Sequence, residues 1–229
     1  FLSRNGPISW RRAAAIGIQL CDALTALHEH NTPGRKECIT HRDIKPANIL
    51  RLTGSEPDSD HVKVVDLGAA KRLPRITRQV HMPSQQGPLD EELPITWSYC
   101  APEQDYWARS LGIDLPTKPG VGTDIFQLGE VLYELVTGDV PFPYQSRGQP
   151  SDARRRLYLD GSVRSPSALR ADDLIPPLFD RVILTSLEKW PENRFPDART
   201  FRAALEEALR RSDPTRPFRV LQNILHFSM

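Results

Sequence analysis

The sequence predicts a mainly α fold with a small β-hairpin, on three observations. First, three stretches carry apolar residues at helical spacing: Ile16, Leu20, Leu24 and Leu27; Ile125, Phe126, Leu128, Val131, Leu132, Leu135 and Val136; and Phe201, Leu205 and Leu209. Second, two short apolar runs, 49–52 and 62–65, flank a polar turn at 53–60 and read as paired strands. Third, the 21 prolines alternate with good apolar patterns, which points to ordered loops between helices rather than disorder.

Composition narrows the class. A chain of 229 residues can bury a real core as one large or two small domains. Its 39% hydrophobic and 26% charged content is that of a soluble globular protein. A net charge of +1 provides no field toward nucleic acid or an anionic membrane, so neither is expected as a partner. Cys21, Cys38 and Cys100 are odd in number and widely spaced, so they form neither a disulfide framework nor a paired metal motif. A reducing, cytoplasmic setting is expected. No apolar run reaches the roughly 18 residues of a membrane span. The chain begins at Phe1 rather than Met and reads as a fragment.

Taken in order, residues 1–7 are a lead-in with a turn at Asn5-Gly6-Pro7. Ser9 is an N-cap for a helix running to about His30, which Asn31-Thr32-Pro33-Gly34 stops. His28 and His30, at that helix end, are expected to be solvated. Residues 38–40 form a short strand, and the predicted hairpin follows. Residues 71–96 lack a period and read as a long loop; such loops are uncommon in compact domains unless functional. A short helix at 104–109 and a Gly- and Pro-rich loop at 111–122 come next. The run 124–137 is apolar nearly all round, so it predicts a buried helix, ended by Gly138 with Pro141 and Pro143 beyond it. A short basic helix is expected at 152–159, where Arg154, Arg155 and Arg156 read as a solvated face or a docking patch. A loop at 160–176, a helix at 177–188 and a turn at 191–196 lead to a last helix capped by Asp197. Gly120-Val121-Gly122 lacks the further glycine and lysine of a phosphate loop.

The chemistry concentrates in His41-Arg42-Asp43-Ile44-Lys45-Pro46-Ala47-Asn48. A carboxylate that can accept a proton, an ammonium that can meet an anion and a carboxamide that can bind a hard cation lie within six positions. Pro46 removes a backbone donor and biases Lys45 away from helix. The predicted hairpin then brings Asn48 and Asp66 of Asp66-Leu67-Gly68 to one end. The stretch resembles the catalytic loop of eukaryotic-type protein kinases, H-R-D-L-x-x-x-N, with Ile44 in place of Leu. Lys45 follows the form found in serine/threonine kinases. Further along, 96–103 resembles G-T-x-x-Y-x-A-P-E with Ile95 at the glycine, 124–129 resembles D-x-W-S-L-G, and 191–195 resembles D-P-x-x-R with Trp190 at the aspartate.

The resemblance implies a role for each matched residue. Asp43 accepts the substrate hydroxyl proton, Lys45 neutralises charge on the γ-phosphate, and Thr96 bonds to both. Asn48 and Asp66 hold Mg²⁺, Leu50 floors the adenine of ATP, and Leu67 fills an apolar slot against His41. Arg42 receives a phosphate on the activation loop, for which Thr77 and Ser84 are candidate sites. Asp124 braces the backbone at His41 and Arg42, and Glu103 pairs with Arg194 in the interior.

As a whole, the chain is identified as the C-terminal lobe of a bacterial-like serine/threonine protein kinase, a fragment of an α+β kinase fold. Residues 1–210 are a partial kinase domain and 211–229 a tail or linker. No segment before His41 provides a Gly-rich loop or a phosphate-pairing lysine, so the N-lobe is expected to be absent and to be a missing partner segment. The fragment alone is then expected to be inactive. The full enzyme is expected to transfer the γ-phosphoryl of ATP to a protein Ser or Thr. A truncated kinase acting as a scaffold and a small-molecule phosphotransferase of kinase-like fold are the alternatives.

Overall fold

The computed structural model describes residues 6–32, 35–53, 60–74, 97–105, 119–146, 149–150, 155–157 and 163–212. Helix α1 spans Trp10–His28, and the Ser9 side chain accepts from the backbone N–H of Arg12 at 3.4 Å. Asp173 also accepts from the N–H of Trp10 at 2.8 Å, satisfying another otherwise orphaned donor of the first turn. Helix α1 buries Ala13, Ile16, Gly17, Leu20, Cys21 and Leu24.

Helix α2, Val121–Thr137, is the apolar centre, with every residue from Thr123 to Tyr133 buried. Each of its fully buried Ile, Leu, Val and Phe side chains contributes about 1.5–3 kcal/mol. Gly138 adopts φ 85° and donates its N–H to Glu134 O at 2.8 Å, a left-handed cap that a Cβ would strain. Gly17 lets α1 approach closely: a Cβ there would lie 2.9 Å from both Leu132 Cδ1 and Leu205 Cδ1. Around this centre pack the short α3, Pro166–Leu169, then α4, Pro177–Ser186, and α5, Ala198–Arg211. Asp197 caps α5 by accepting from Thr200 N at 2.7 Å.

The expectation of a mainly α fold with one small hairpin, a C-terminal-lobe fragment, is corrected by the strands. Among the described residues seven strands form three sheets. Strands β1 (Asn31–Thr32), β2 (Arg35–Thr40) and β5 (Lys71–Pro74) make an antiparallel three-stranded sheet in the order β1-β2-β5. Strands β3 (Ile49–Thr53) and β4 (Asp60–Val64) pair with Ile49 opposite Val64 and Arg51 opposite Val62. Strands β6 (Tyr144–Ser146) and β7 (Gln149–Pro150) form the third sheet. The result is a strand-rich stretch from residue 31 to 74 and a helix-rich stretch from 121 onward. The unforeseen strands β1, β5, β6 and β7 are two to four residues long and lack room for an alternating pattern. Strand β5 forms through pairing with β2, Ile39 opposite Arg72, so the loop expected from residue 71 begins with a strand.

Smaller differences follow local geometry. Of the short helix expected at 104–109, Gln104 ends a 3₁₀ turn, Pro102–Gln104, and Asp105 is extended, while 106–109 lie outside the described residues. The loop at 160–176 contains α3. Residues 155–157 are helical within the expected basic helix, and Arg155 and Arg156 are exposed. The tail from 213 lies outside the described residues.

Candidate active site

Helix α2 holds the loop from beneath. Asp124, fully buried, accepts from the backbone N–H of His41 at 2.9 Å and of Arg42 at 2.7 Å. One turn on, Gln127 Oε1 accepts from Ile44 N at 2.9 Å. Its Nε2 donates to Arg42 O at 2.9 Å and to Gln104 Oε1 at 3.0 Å, while Gln104 Nε2 donates to Arg42 O at 3.0 Å. These bonds satisfy the polar backbone of a buried loop, which would otherwise cost about 1–3 kcal/mol per orphaned group. They also stabilise Arg42 at φ 68°, a left-handed conformation of the kind that concentrates at functional sites.

On this base Asp43 projects with a side-chain exposure of 14%. Lys45 Nζ lies 2.7 Å from Asp43 Oδ2. Asn48 Nδ2 donates to Asp43 O at 2.9 Å and to Asp43 Oδ2 at 3.0 Å. Lys45 and Asn48 therefore converge on the one carboxylate of Asp43. Val65 N donates to Asn48 O at 2.9 Å, which continues the β3–β4 ladder and sets Asp66 next to the Asn48 end of the hairpin. Asp66 has φ 64°, and its Oδ1 accepts from Gly68 N at 3.0 Å. His41, buried, bridges the two parts through Nε2 to Val65 O at 3.2 Å.

Among the described residues no group of three or more His, Cys, Asp or Glu could hold a metal ion. A divalent cation here would rest on the Asp66 carboxylate and the Asn48 carboxamide oxygen, since Asn48 Nδ2 is engaged by Asp43. Few protein oxygens, completed by phosphate and water, are the donor set magnesium uses, so these residues fit that ion.

Glu103 and Arg194 meet in the interior, with side-chain exposures of 1% and 0%. Nη1 donates to Oε1 at 2.9 Å and Nη2 to Oε2 at 3.0 Å. Thr123 Oγ1 adds a bond to Glu103 at 2.8 Å, and the guanidinium stacks on Phe126 at 4.7 Å. Arg42 is buried, donating to Thr40 Oγ1 at 3.1 Å and Pro119 O at 3.0 Å. Tyr99 donates its hydroxyl to Glu134, and burial raises both groups' affinity for protons.

Several expected residues fall elsewhere. Thr96, Thr77 and Ser84 lie outside the described residues. Leu50 is half exposed on β3, and Leu67, expected against His41, is 54% exposed. His28, expected in solvent, is buried with Nε2 2.8 Å from Asp124 Oδ2. A sequence signal for it existed: His28 continues the Ile16–Leu20–Leu24 stripe at four-residue spacing. Gln127 was likewise signalled, as a polar residue within an otherwise apolar helix. Gln104 accepts locally from Ala101 N at 3.1 Å, but its partners at the loop and α2, Arg42 and Gln127, lie 62 and 23 positions away, beyond any local pattern.

The protein kinase domain family model matches residues 1–206. The serine/threonine-protein kinase PknB of Mycolicibacterium smegmatis is 33% identical over 201 residues, 88% of this chain and 27% of that protein. PknH of Mycobacterium tuberculosis is 32% identical over 219 residues, 93% of this chain and 28% of that protein. Among solved structures, the Rad53 kinase domain and SCD2 in complex with AMPPNP aligns with a TM-score of 0.56 at 23% identity, covering 89% of this chain and 60% of that one. The Mycobacterium tuberculosis PknI kinase domain aligns at 0.51 and 22%, covering 90% and 58%. The chain thus spans under a third of the length of these curated relatives. The family match overturns the identification as a C-terminal lobe with the N-lobe absent: it is to the protein kinase domain and runs across nearly the whole chain. The missing N-lobe segment as a partner, and the inactivity expected of a fragment, lose their premise with it.

Proposed function

Since this chain belongs to the protein kinase domain family, we propose that the protein is a serine/threonine protein kinase, which transfers the γ-phosphoryl group of ATP to a Ser or Thr hydroxyl of a protein substrate. The observation that carries the reading is the convergence of Lys45 and Asn48 on the Asp43 carboxylate, above a loop whose backbone Asp124 and Gln127 hold.

In this reading Asp43 orients the attacking hydroxyl and accepts its proton, and Lys45, 2.7 Å away, meets the negative charge of the transferring group. Asn48 and Asp66 would hold the metal from the two sides of one end of the hairpin, just before β3 and just after β4. The bound Mg²⁺ supplies charge neutralisation and alignment of the phosphates. Bracing by Asp124 keeps Asp43 from drifting, and misplacement of a reacting group by about 1 Å can cost roughly 10²-fold in rate. The exposed face of Leu50 is offered to the adenine, and Arg42 would take a phosphate on the segment that includes Thr77 and Ser84 in exchange for its bond to Pro119 O. Among the described residues no helix is long and apolar enough to cross a membrane.

The test is transfer of labelled γ-phosphate from ATP to a generic basic protein by the purified protein, with and without Mg²⁺. Asp43→Asn is expected to reduce transfer by about 10²-fold or more, within the range for loss of a general base, while the thermal transition stays within a few degrees. Equal transfer by wild type and Asp43→Asn would refute the assignment.

A further inference from the structure

The two halves of the site are anchored on two different helices. The loop with Asp43 hangs on α2 through Asp124 and Gln127. The hairpin whose end carries Asn48 and Asp66 is held by α1. Gln19, half-buried on α1, runs its amide along the outer edge of β4: Nε2 donates to Asp60 O at 2.7 Å, and Oε1 accepts from Val62 N at 3.2 Å. One side chain thereby makes the bonds that an adjoining strand would make. The Asp60 side chain, at the far end of the hairpin from Asp66, is gripped by Arg12 Nε at 2.5 Å and Arg51 Nε at 2.5 Å. From there the ladder runs without a break: Thr53 opposite Asp60, Arg51 opposite Val62, Ile49 opposite Val64, then Val65 N to Asn48 O.

From this arrangement we infer that Gln19 is a positioning residue for the metal-binding pair Asn48 and Asp66, acting through the β4 backbone. The inference rests on the kinase reading given above and adds a residue distant in sequence from every motif. Its physical basis is rigidity. Helices α1 and α2 meet at Gly17, where even a Cβ would lie 2.9 Å from Leu132, so their spacing is fixed. With α1 fixed, the Gln19 amide fixes β4 and the twist of its paired strand. Asp66, two residues beyond β4 and in a left-handed conformation, inherits that placement. Without the amide, the β4 backbone keeps hydrogen bonds only to β3, and the remaining polar tie to α1, Arg12 to Asp60, sits at the end far from Asp66, so the Asp66 end of the hairpin can rock relative to the loop that Asp124 holds.

The experiment is titration of Mn²⁺ into the purified protein with a non-hydrolysable ATP analogue, reading free Mn²⁺ by electron paramagnetic resonance. Gln19→Leu removes both bonds, Gln19→Glu removes the donor to Asp60 O, and Leu20→Val trims the core beneath α1 while leaving the helix, Gln19 and the hairpin edge in place. Gln19→Leu is expected to weaken Mn²⁺ binding on the order of ten-fold, the size typical of groups that orient metal ligands. Gln19→Glu is expected to weaken it as well, which keeps the test alive should Gln19→Leu not fold. Leu20→Val is expected to lower the melting temperature and leave Mn²⁺ binding unchanged. Unchanged binding in both Gln19 variants overturns the inference, as does equal weakening in Leu20→Val. A wild-type protein that binds no Mn²⁺ with the analogue refutes the assignment of Asn48 and Asp66 as metal ligands, a failure visible before any variant is made.

Discussion

Replacing Arg194 with Met would strand Glu103 in the interior. In the native structure the carboxylate receives two charge-assisted bonds from Arg194, at 2.9 and 3.0 Å, and one from Thr123 at 2.8 Å. The same guanidinium also satisfies the carbonyls of Gly122 at 2.8 Å, Glu188 at 2.7 Å and Lys189 at 2.9 Å. Methionine fills much of the volume and can keep contact with Phe126, so the loss is electrostatic rather than steric. Leaving one partner of a buried ion pair uncompensated costs about 3–5 kcal/mol. Thr123 still serves one oxygen, but three carbonyls lose their donor, so the middle of that range is expected. For a domain of this size about 4 kcal/mol lowers the melting temperature by roughly 10 °C. Urea unfolding followed by tryptophan fluorescence would measure it. The double variant Glu103→Leu with Arg194→Met removes the stranded charge and is expected to be more stable than Arg194→Met alone. An Arg194→Met protein within about 1 kcal/mol of wild type, or a double variant less stable than the single, would refute the reasoning.

Two further outcomes follow from close contacts elsewhere. Gly129→Ala would push a Cβ to 2.1 Å from Ser186 Oγ where α2 meets α4, and is expected to destabilise by about 1–3 kcal/mol; adding Ser186→Ala should recover part of that loss in the same unfolding assay. Arg12 hydrogen bonding holds the Asp60 carboxyl below the usual carboxylate range, so its stabilisation is present above the unfolded-state pKa and is lost as pH falls through the folded one. The stability gap between wild type and Arg12→Met at pH 7 should therefore narrow below about pH 4, as unfolding curves taken across that range would reveal.

What could be read in the sequence was whatever is carried by neighbours in the chain. Asp43, Lys45 and Asn48 lie within six positions, and α2 announces itself through an apolar run that no exposed helix could keep. Asp197 and Ser9 cap their helices because a cap needs only the next turn. Elements defined by distant partners were not legible. Strand β5 is four residues of mixed character whose backbone finds β2 some 31–37 positions earlier, and without that partner Lys71–Pro74 is a loop. The expected single hairpin failed for this reason, and the inference of a lone C-terminal lobe failed with the family match from residue 1 to 206. His28 shows the same limit within a helix that was read correctly. Its four-residue spacing from Leu24 placed it on the buried face, yet an imidazole is buried only where a partner awaits it, and that partner, Asp124, stands 96 positions away. Gln19 differs in kind: its amide replaces a strand, so neither its own helix nor the strand it completes marks it. Residues of this sort emerge from asking where each edge N–H and C=O goes, and β4 answers with Gln19 at Asp60 and Val62. The loop's chemistry is thus local, whereas its alignment with the hairpin rests on two helices, through Asp124 and Gln127 on one and, on the other, through Gln19, which no motif contains.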